Sequence, residues 1–63
     1  MKYLANYMTS NGTHMSEGIT GNNKSTLVQD IKEIARGNKQ EGDYANWYVD
    51  DSNGNTVASG IIR

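Results

Sequence analysis

The sequence predicts an α+β fold with the element order ββαββ. Two hairpins would form one four-stranded antiparallel sheet, and a single helix would pack on one face. The triplet Ser-Asn-Gly occurs at residues 10–12 and 52–54, and each copy lies between segments rich in Tyr, Trp, Val, Ile, Met and Thr. Asn-Gly tolerates the positive φ angles of a type I′ turn and is therefore a strong hairpin signal. Between the hairpins, apolar residues at helical spacing predict the helix.

The first hairpin is expected over residues 2–20, with strands at 2–9 and 13–20. A two-residue loop at Asn11-Gly12 sets the pairs Ser10–Thr13, Met8–Met15, Asn6–Glu17 and Leu4–Ile19. Because side chains alternate between the faces of a strand, one face becomes apolar and is expected to meet the helix. That face consists of Leu4, Met8, Met15 and Ile19. The opposite face carries the rings of Tyr3 and Tyr7.

The helix is expected over residues 23–36. Gly21-Asn22-Asn23 breaks the preceding strand, and Asn is a good N-cap because its side chain accepts a bond from a free amide of the first turn. The apolar stripe that follows has the spacing of an amphipathic helix; it consists of Leu27, Val28, Ile31, Ile34 and Ala35. Gly37 is expected to end the helix as a left-handed C-cap.

The second hairpin is expected over residues 44–62, with strands at 44–51 and 56–62. Pairing around Asn53-Gly54 sets Asp51 against Thr56, Val49 against Ala58 and Trp47 against Gly60. An aromatic ring opposite a glycine can lie over the bare backbone, which favours this register.

A single helix covers only one face of such a sheet. The uncovered face would then carry Tyr3, Tyr7 and one of the neighbours Trp47 and Tyr48. These four aromatic residues are the predicted interaction surface, because an apolar sheet face with no second layer is either a binding surface or half of a dimer core.

Composition narrows the classes of function. With 63 residues the chain is expected to form a single domain over residues 1–63. A domain of this size is marginally stable and usually depends on disulfides, a metal or oligomerisation. The absence of Cys excludes disulfides, and a single His makes a metal site within one chain unfavourable. Oligomerisation is the remaining means of stabilisation, and a homodimer is expected. The net charge of −1 disfavours nucleic-acid binding, and no apolar run approaches the about 18 residues of a membrane span. We expect a cytoplasmic protein.

No motif for catalysis, a metal or a cofactor is complete. If Gly54 takes the sixth position of a calcium loop, Val49 and Gly60 fall on its first and twelfth positions, where acidic ligands are required. His14 has no nucleophile and acid at a spacing that indicates a catalytic triad. No glycine-rich phosphate-binding pattern is present. The sequence therefore predicts a protein that is not an enzyme and holds no cofactor.

Three segments of the chain resemble segments of known short proteins. They are residues 3–11, residues 31–38 and Trp47-Tyr48-Val49-Asp50-Asp51. Over its whole length the chain resembles short proteins of phages and mobile elements. Some of these inhibit bacterial anti-phage defence proteins, often as small homodimers. The resemblance implies a protein-binding module that inhibits a host protein, and it transfers no functional residue. Two alternatives stay open. One is a single-stranded nucleic-acid-binding protein that stacks bases on the sheet aromatics. The other is a minimal enzyme or ligand-binding dimer with its site across the interface.

Overall fold

The computed structural model describes residues 2–63 and confirms the predicted ββαββ order. The elements are β1 (Tyr3–Thr9), β2 (Ile19–Gly21), α1 (Lys24–Asn38), β3 (Ala45–Asp50) and β4 (Thr56–Ile62). The strands form one antiparallel sheet in the order β2-β1-β3-β4. The two hairpins therefore meet through β1 and β3, and β2 and β4 form the edges.

The first Ser-Asn-Gly turn is a three-residue loop. The amide of Thr9 donates to the carbonyl of Thr13 (2.9 Å), and the amide of Gly12 donates back to the carbonyl of Thr9 (2.9 Å). Gly12 has a φ of 92°, and no non-glycine residue among residues 2–63 has a positive φ. The predicted two-residue type I′ loop, which needs a positive φ at Asn11 as well, is therefore wrong. In the three-residue loop only Gly12 adopts a positive φ, so Asn11 keeps a negative one.

The second turn repeats the first. The amide of Asp51 donates to the carbonyl of Asn55 (2.8 Å), and the amide of Gly54 donates to the carbonyl of Asp51 (3.1 Å). Gly54 has a φ of 86°. In both turns the side chain of the residue before Ser-Asn-Gly accepts the amide of the residue after it. Thr9 Oγ1 accepts from Thr13 at 3.0 Å, and Asp51 Oδ1 accepts from Asn55 at 2.9 Å.

The second strand is much shorter than predicted, because residues 15–18 leave the regular pairing with β1. The observed pairs are Tyr3–Gly21, Leu4–Thr20 and Ala5–Ile19, with one isolated bridge between Met8 and His14. The predicted pairs Met8–Met15 and Leu4–Ile19 are wrong.

Two contacts explain this departure from regular pairing. The side chain of Asn6 replaces the backbone hydrogen bonds that a paired strand would make with Met15. Its Nδ2 donates to the carbonyl of Met15 (2.9 Å), and its Oδ1 accepts from the amide of Met15 (3.1 Å). Gly18, with a φ of 73°, approaches β1 so closely that a Cβ atom there would lie 2.5 Å from the carbonyl oxygen of Ala5.

The helix packs on the face of β1 opposite to the one predicted. The buried core consists of Ala5, Tyr7, Leu27, Ile31, Ala35, Ala45, Trp47, Val49 and Ile62. Leu4 and Met8, which were predicted to face the helix, are exposed, whereas Met15 and Ile19 do pack against the core. Register explains the reversal: Tyr7 lies opposite Trp47. Covering two aromatic rings removes more apolar surface from water than covering Leu4 and Met8 would.

Helix α1 begins one residue after its predicted start, directly after the predicted N-cap Asn23, and ends two residues later than predicted. The Asn23 side chain caps it by accepting the amide of Thr26 (3.0 Å). Gly37 continues the helix, so its predicted role as a left-handed C-cap is wrong. The last turn is closed instead by the amide of Lys39, which donates to the carbonyl of Ala35 (3.0 Å).

The second hairpin has most of its predicted register. Val49 pairs with Ala58 and Trp47 pairs with Gly60, as predicted. A bulge between Val49 and Asp50 shifts the end of the hairpin, so that Thr56 pairs with Asp50 and not with Asp51. The shift follows from the three-residue loop, because Asp51 is already paired with Asn55 inside the turn.

Candidate functional site

The structure separates the four aromatic residues that were predicted to form one surface. Tyr7 and Trp47 are 4% and 8% exposed and lie in the core under the helix. Tyr3 is half-buried and packs against that core. Only Tyr48, at 37% exposure, lies on the side of the sheet away from the helix. The predicted position of Tyr3 and Tyr7 on the uncovered face is therefore wrong, because both share the inward phase of β1 with Ala5. Of the neighbours Trp47 and Tyr48, one of which was expected there, it is Tyr48 that lies on that face.

The sequence held a signal for the correct phase of β3. Trp47 alternates with Ala45 and Val49, whereas Tyr48 alternates with Asn46 and Asp50. The face with only apolar residues is the one that a helix buries most favourably. The composition of β3 alone thus places Trp47 inside and Tyr48 outside.

A lysine covers the outer side of the buried indole. Lys32 Nζ lies 5.7 Å from the ring centroid of Trp47, within the range of a cation–π interaction. The Trp47 ring, which the sequence predicted as a binding group, therefore lies against Gly60 and has the Lys32 ammonium within cation–π distance.

The candidate site is the side of the sheet away from the helix, called here the open face. Its side chains form three rows across the strands. They comprise Leu4 and Asp50; Asn6, Tyr48 and Ser59; and Met8, Asn46 and Ile61. Tyr48 occupies the middle of this set. The four apolar members, Leu4, Met8, Tyr48 and Ile61, are all exposed, with Met8 at 51% and Ile61 at 52%.

The polar members of the open face are mostly uncharged. Asp50 is the one charged residue of the set, and its Oδ1 accepts the hydroxyl of Thr56 at 2.8 Å. The Asn6 amide is committed to the Met15 backbone. The side chain of Asn46 makes no hydrogen bond with the described residues. A partner would therefore meet apolar side chains beside the free amide of Asn46.

A groove of about 450 Å³ lies at one end of the open face, between the beginning of β1 and the second turn. Asp50 and Asp51 contribute carboxylates to its lining. The backbone amide of Asn55, followed by that of Asn53, holds the pKa of Asp51 below its ordinary value despite partial desolvation. Asp51 Oδ1 accepts both amides at 2.9 Å. This carboxylate is thus part of the turn, a role that the sequence analysis did not predict.

The other motif residues lie apart from one another. His14 is exposed, and its Nδ1 donates to the carbonyl of Gly12 at 3.1 Å. Within residues 2–63, no three His, Cys, Asp or Glu side chains are grouped as a metal site would require. The helix found in this range is too short and too polar to cross a membrane.

Comparisons with protein-family models, with curated proteins and with solved structures gave no significant match.

Proposed function

We propose that the chain is a non-enzymatic protein-binding module and that the open face is its binding surface. The observation that carries the proposal is the exposure of Leu4, Met8, Tyr48 and Ile61 on a sheet face that no described element covers. Aromatic residues and Met are enriched at protein interfaces, and charged residues are depleted at their centres. The open face has this composition, with Tyr48 in the middle and its one carboxylate at an end.

The partner that fits this surface is a folded protein with an apolar patch and hydrogen-bonding groups for Asn46. Tyr48 would be the anchor, since central tyrosines contribute much of the binding energy at interfaces. In line with the resemblance to small phage and mobile-element proteins, the proposed partner is a host protein. The proposed role is inhibition of that protein in the cytoplasm by a homodimeric module.

The nucleic-acid alternative loses support from the position of the rings. Stacking of successive bases needs several exposed aromatic side chains beside a positive groove. Tyr7 and Trp47 are buried, the net charge is −1, and the open face includes Asp50. A protein partner is the better fit for this surface.

The test compares three immobilised forms of the chain in affinity capture from bacterial lysate. These are the wild type, a Met8→Ser and Tyr48→Ser double variant, and a Lys24→Ala and Gln29→Ala control on the exposed side of the helix. We expect a protein that the wild type and the control retain and that the open-face variant loses. With the purified partner, the open-face variant should bind at least tenfold more weakly, about 1.4 kcal/mol.

Two results would contradict the proposal. One is a partner that binds the open-face variant as tightly as the wild type. The other is binding of single-stranded oligonucleotides that weakens steeply with salt and needs Tyr48, which would establish the nucleic-acid alternative instead.

A further inference from the structure

The two edges of the sheet differ in how they are protected. β2 has three residues, and the segment before it leaves the pairing with β1, so this edge offers little backbone to a partner. β4 has seven residues, Thr-Val-Ala-Ser-Gly-Ile-Ile, with no charge and no proline. No strand among residues 2–63 pairs with its outer side. Natural sheets usually blunt such an edge with charge, proline, a bulge or a short strand. β4 has one of these, the bulge that leaves Val57 without a partner on β3, and residues 58–62 beyond it are regularly paired and carry none.

The register shows which backbone groups of β4 point outward. The amide of Ser10 donates to the carbonyl of Tyr44 (2.9 Å), which fixes the hydrogen-bonded pairs between β1 and β3. Hydrogen-bonded pairs recur at every second residue, so Tyr48 directs its amide and carbonyl towards β1. Ser59 lies opposite Tyr48 on the other side of β3. Its amide and carbonyl therefore point away from β3, and those of Ile61 do the same.

We propose that β4 pairs in antiparallel fashion with β4 of a second copy, about a two-fold axis at Ser59. Two four-stranded sheets then become one continuous sheet of eight strands. This interface uses the backbone edge of β4 and, of the apolar open-face residues, only Ile61. Leu4, Met8 and Tyr48 stay uncovered, so the dimer and the protein-binding proposal can be tested separately. Because β2 is too short to pair in the same way, the assembly closes as a dimer and does not extend into a fibre.

The strand is self-complementary in this register. Val57 lies opposite Ile61 of the second copy, and these are the exposed large apolar side chains of β4. On the helix side, Ala58 lies opposite Gly60 of the second copy, so two small residues meet and the helices are not forced apart. A heterologous strand would have to reproduce this pattern, whereas a second copy supplies it by symmetry.

Charge at the two ends of β4 favours the same register. Arg63 follows the strand, and Asn55, whose amide binds the Asp51 carboxylate, precedes it. Pairing about Ser59 places Arg63 beside Asn55 of the second copy, and hence close to a carboxylate. The two-fold axis repeats this attraction at the other end. Since pairing at one edge buries less than the about 1,600 Å² of a standard interface, the dimer should dissociate on dilution.

The test uses the rate of disulfide formation to report how close equivalent residues of the two copies lie. Each introduced thiol is the only one in its chain, because the sequence has no cysteine. In Ser59→Cys the two thiols lie on directly opposite residues, whose Cα atoms are about 5.5 Å apart and within reach of a disulfide. In the matched control Thr56→Cys, the thiols are separated by six residues along the strand, about 20 Å. We expect Ser59→Cys to form covalent dimers under mild oxidation at least tenfold faster than Thr56→Cys.

Sedimentation of the cysteine-free chain over a range of concentrations gives the second readout. The wild type should dimerise, Val57→Lys should be monomeric because it places a charge in the interface, and Met8→Lys on the open face should dimerise like the wild type. Circular dichroism verifies that each variant is folded. Equal cross-linking of the two cysteine variants, a wild type that is monomeric throughout, or a dimer lost only in Met8→Lys would overturn the proposal. A wild type that dimerises but captures no partner would instead count only against the open-face function.

Discussion

The indole of Trp47 lies over the backbone of Gly60, so close that a Cβ atom added at Gly60 would be 2.9 Å from three ring atoms. The two residues are directly paired across β3 and β4. The ring thus fills the space that a side chain on β4 would occupy. This contact closes the core beside β4, an edge strand with which the helix makes few contacts.

Substitution of Gly60 by alanine should therefore destabilise the fold. The added methyl group must displace a buried ring, and overpacking of this kind costs about 1–3 kcal/mol. Gly37→Ala is the matched control, since Gly37 is an exposed residue of the helix and a Cβ atom added there would have nothing within 4 Å. There alanine should stabilise the fold by about 0.5–1 kcal/mol. Urea unfolding followed by Trp47 fluorescence measures both. A Gly60→Ala chain as stable as the wild type would show that the ring does not occupy this position.

The reversed face of β1 makes a second prediction. Tyr7→Ala should cost about 3 kcal/mol, because it removes a buried ring from the core. Met8→Ala should change the free energy of unfolding by less than about 0.5 kcal/mol, since Met8 is half-exposed on the open face. Thermal or urea unfolding distinguishes the two. The opposite ranking would restore the arrangement in which Leu4 and Met8 face the helix.

Asn6 holds the irregular segment 15–18 against β1, and its removal should loosen that segment. Asn6→Ala leaves the amide and the carbonyl of Met15 without these partners, which should cost about 1–2 kcal/mol. Asn46→Ala is the control on the same face, because its side chain has no hydrogen bond to lose within residues 2–63. Hydrogen exchange should show faster exchange of the Met15 amide in Asn6→Ala and no change in Asn46→Ala. Equal exchange rates in the two variants would contradict this role.

The second turn should weaken in acid. Amides of Asn55 and Asn53 lower the pKa of Asp51 in the folded state, so the ionised carboxylate stabilises the fold. That contribution is complete above the unfolded pKa of about 3.9 and is lost as the pH falls through the lower folded pKa. Asp51→Asn keeps an acceptor but does not titrate, so its stability should depend less on pH below about 4 than that of the wild type. Asp30→Asn, on the exposed side of the helix, controls for the loss of a charge. If the free energy of unfolding fell equally with decreasing pH in the wild type and in Asp51→Asn, this assignment would be refuted.

Much of the fold was readable from local signals. Asn23 as the helix cap, the stripe from Leu27 to Ala35 and the pairing of Trp47 with Gly60 each depend on a few neighbouring residues, whose chemistry acts within one element or one hairpin. The twin Ser-Asn-Gly turns were also correctly located. Their loop length was not, because it depends on Thr9 and Asp51, whose side chains bind across the turn.

The candidate site was predicted less well, for a physical reason. A strand with apolar residues on both sides, such as β1, has no preferred face until another layer packs on it. The choice was made by pairing with β3, which aligned Tyr7 with Trp47 and put both under the helix. The sequence by itself determined the elements, their order and the presence of one uncovered sheet face. Tertiary structure decided which residues occupy that face, because the gain from burying two adjacent rings is a property of the assembled sheet and not of either strand.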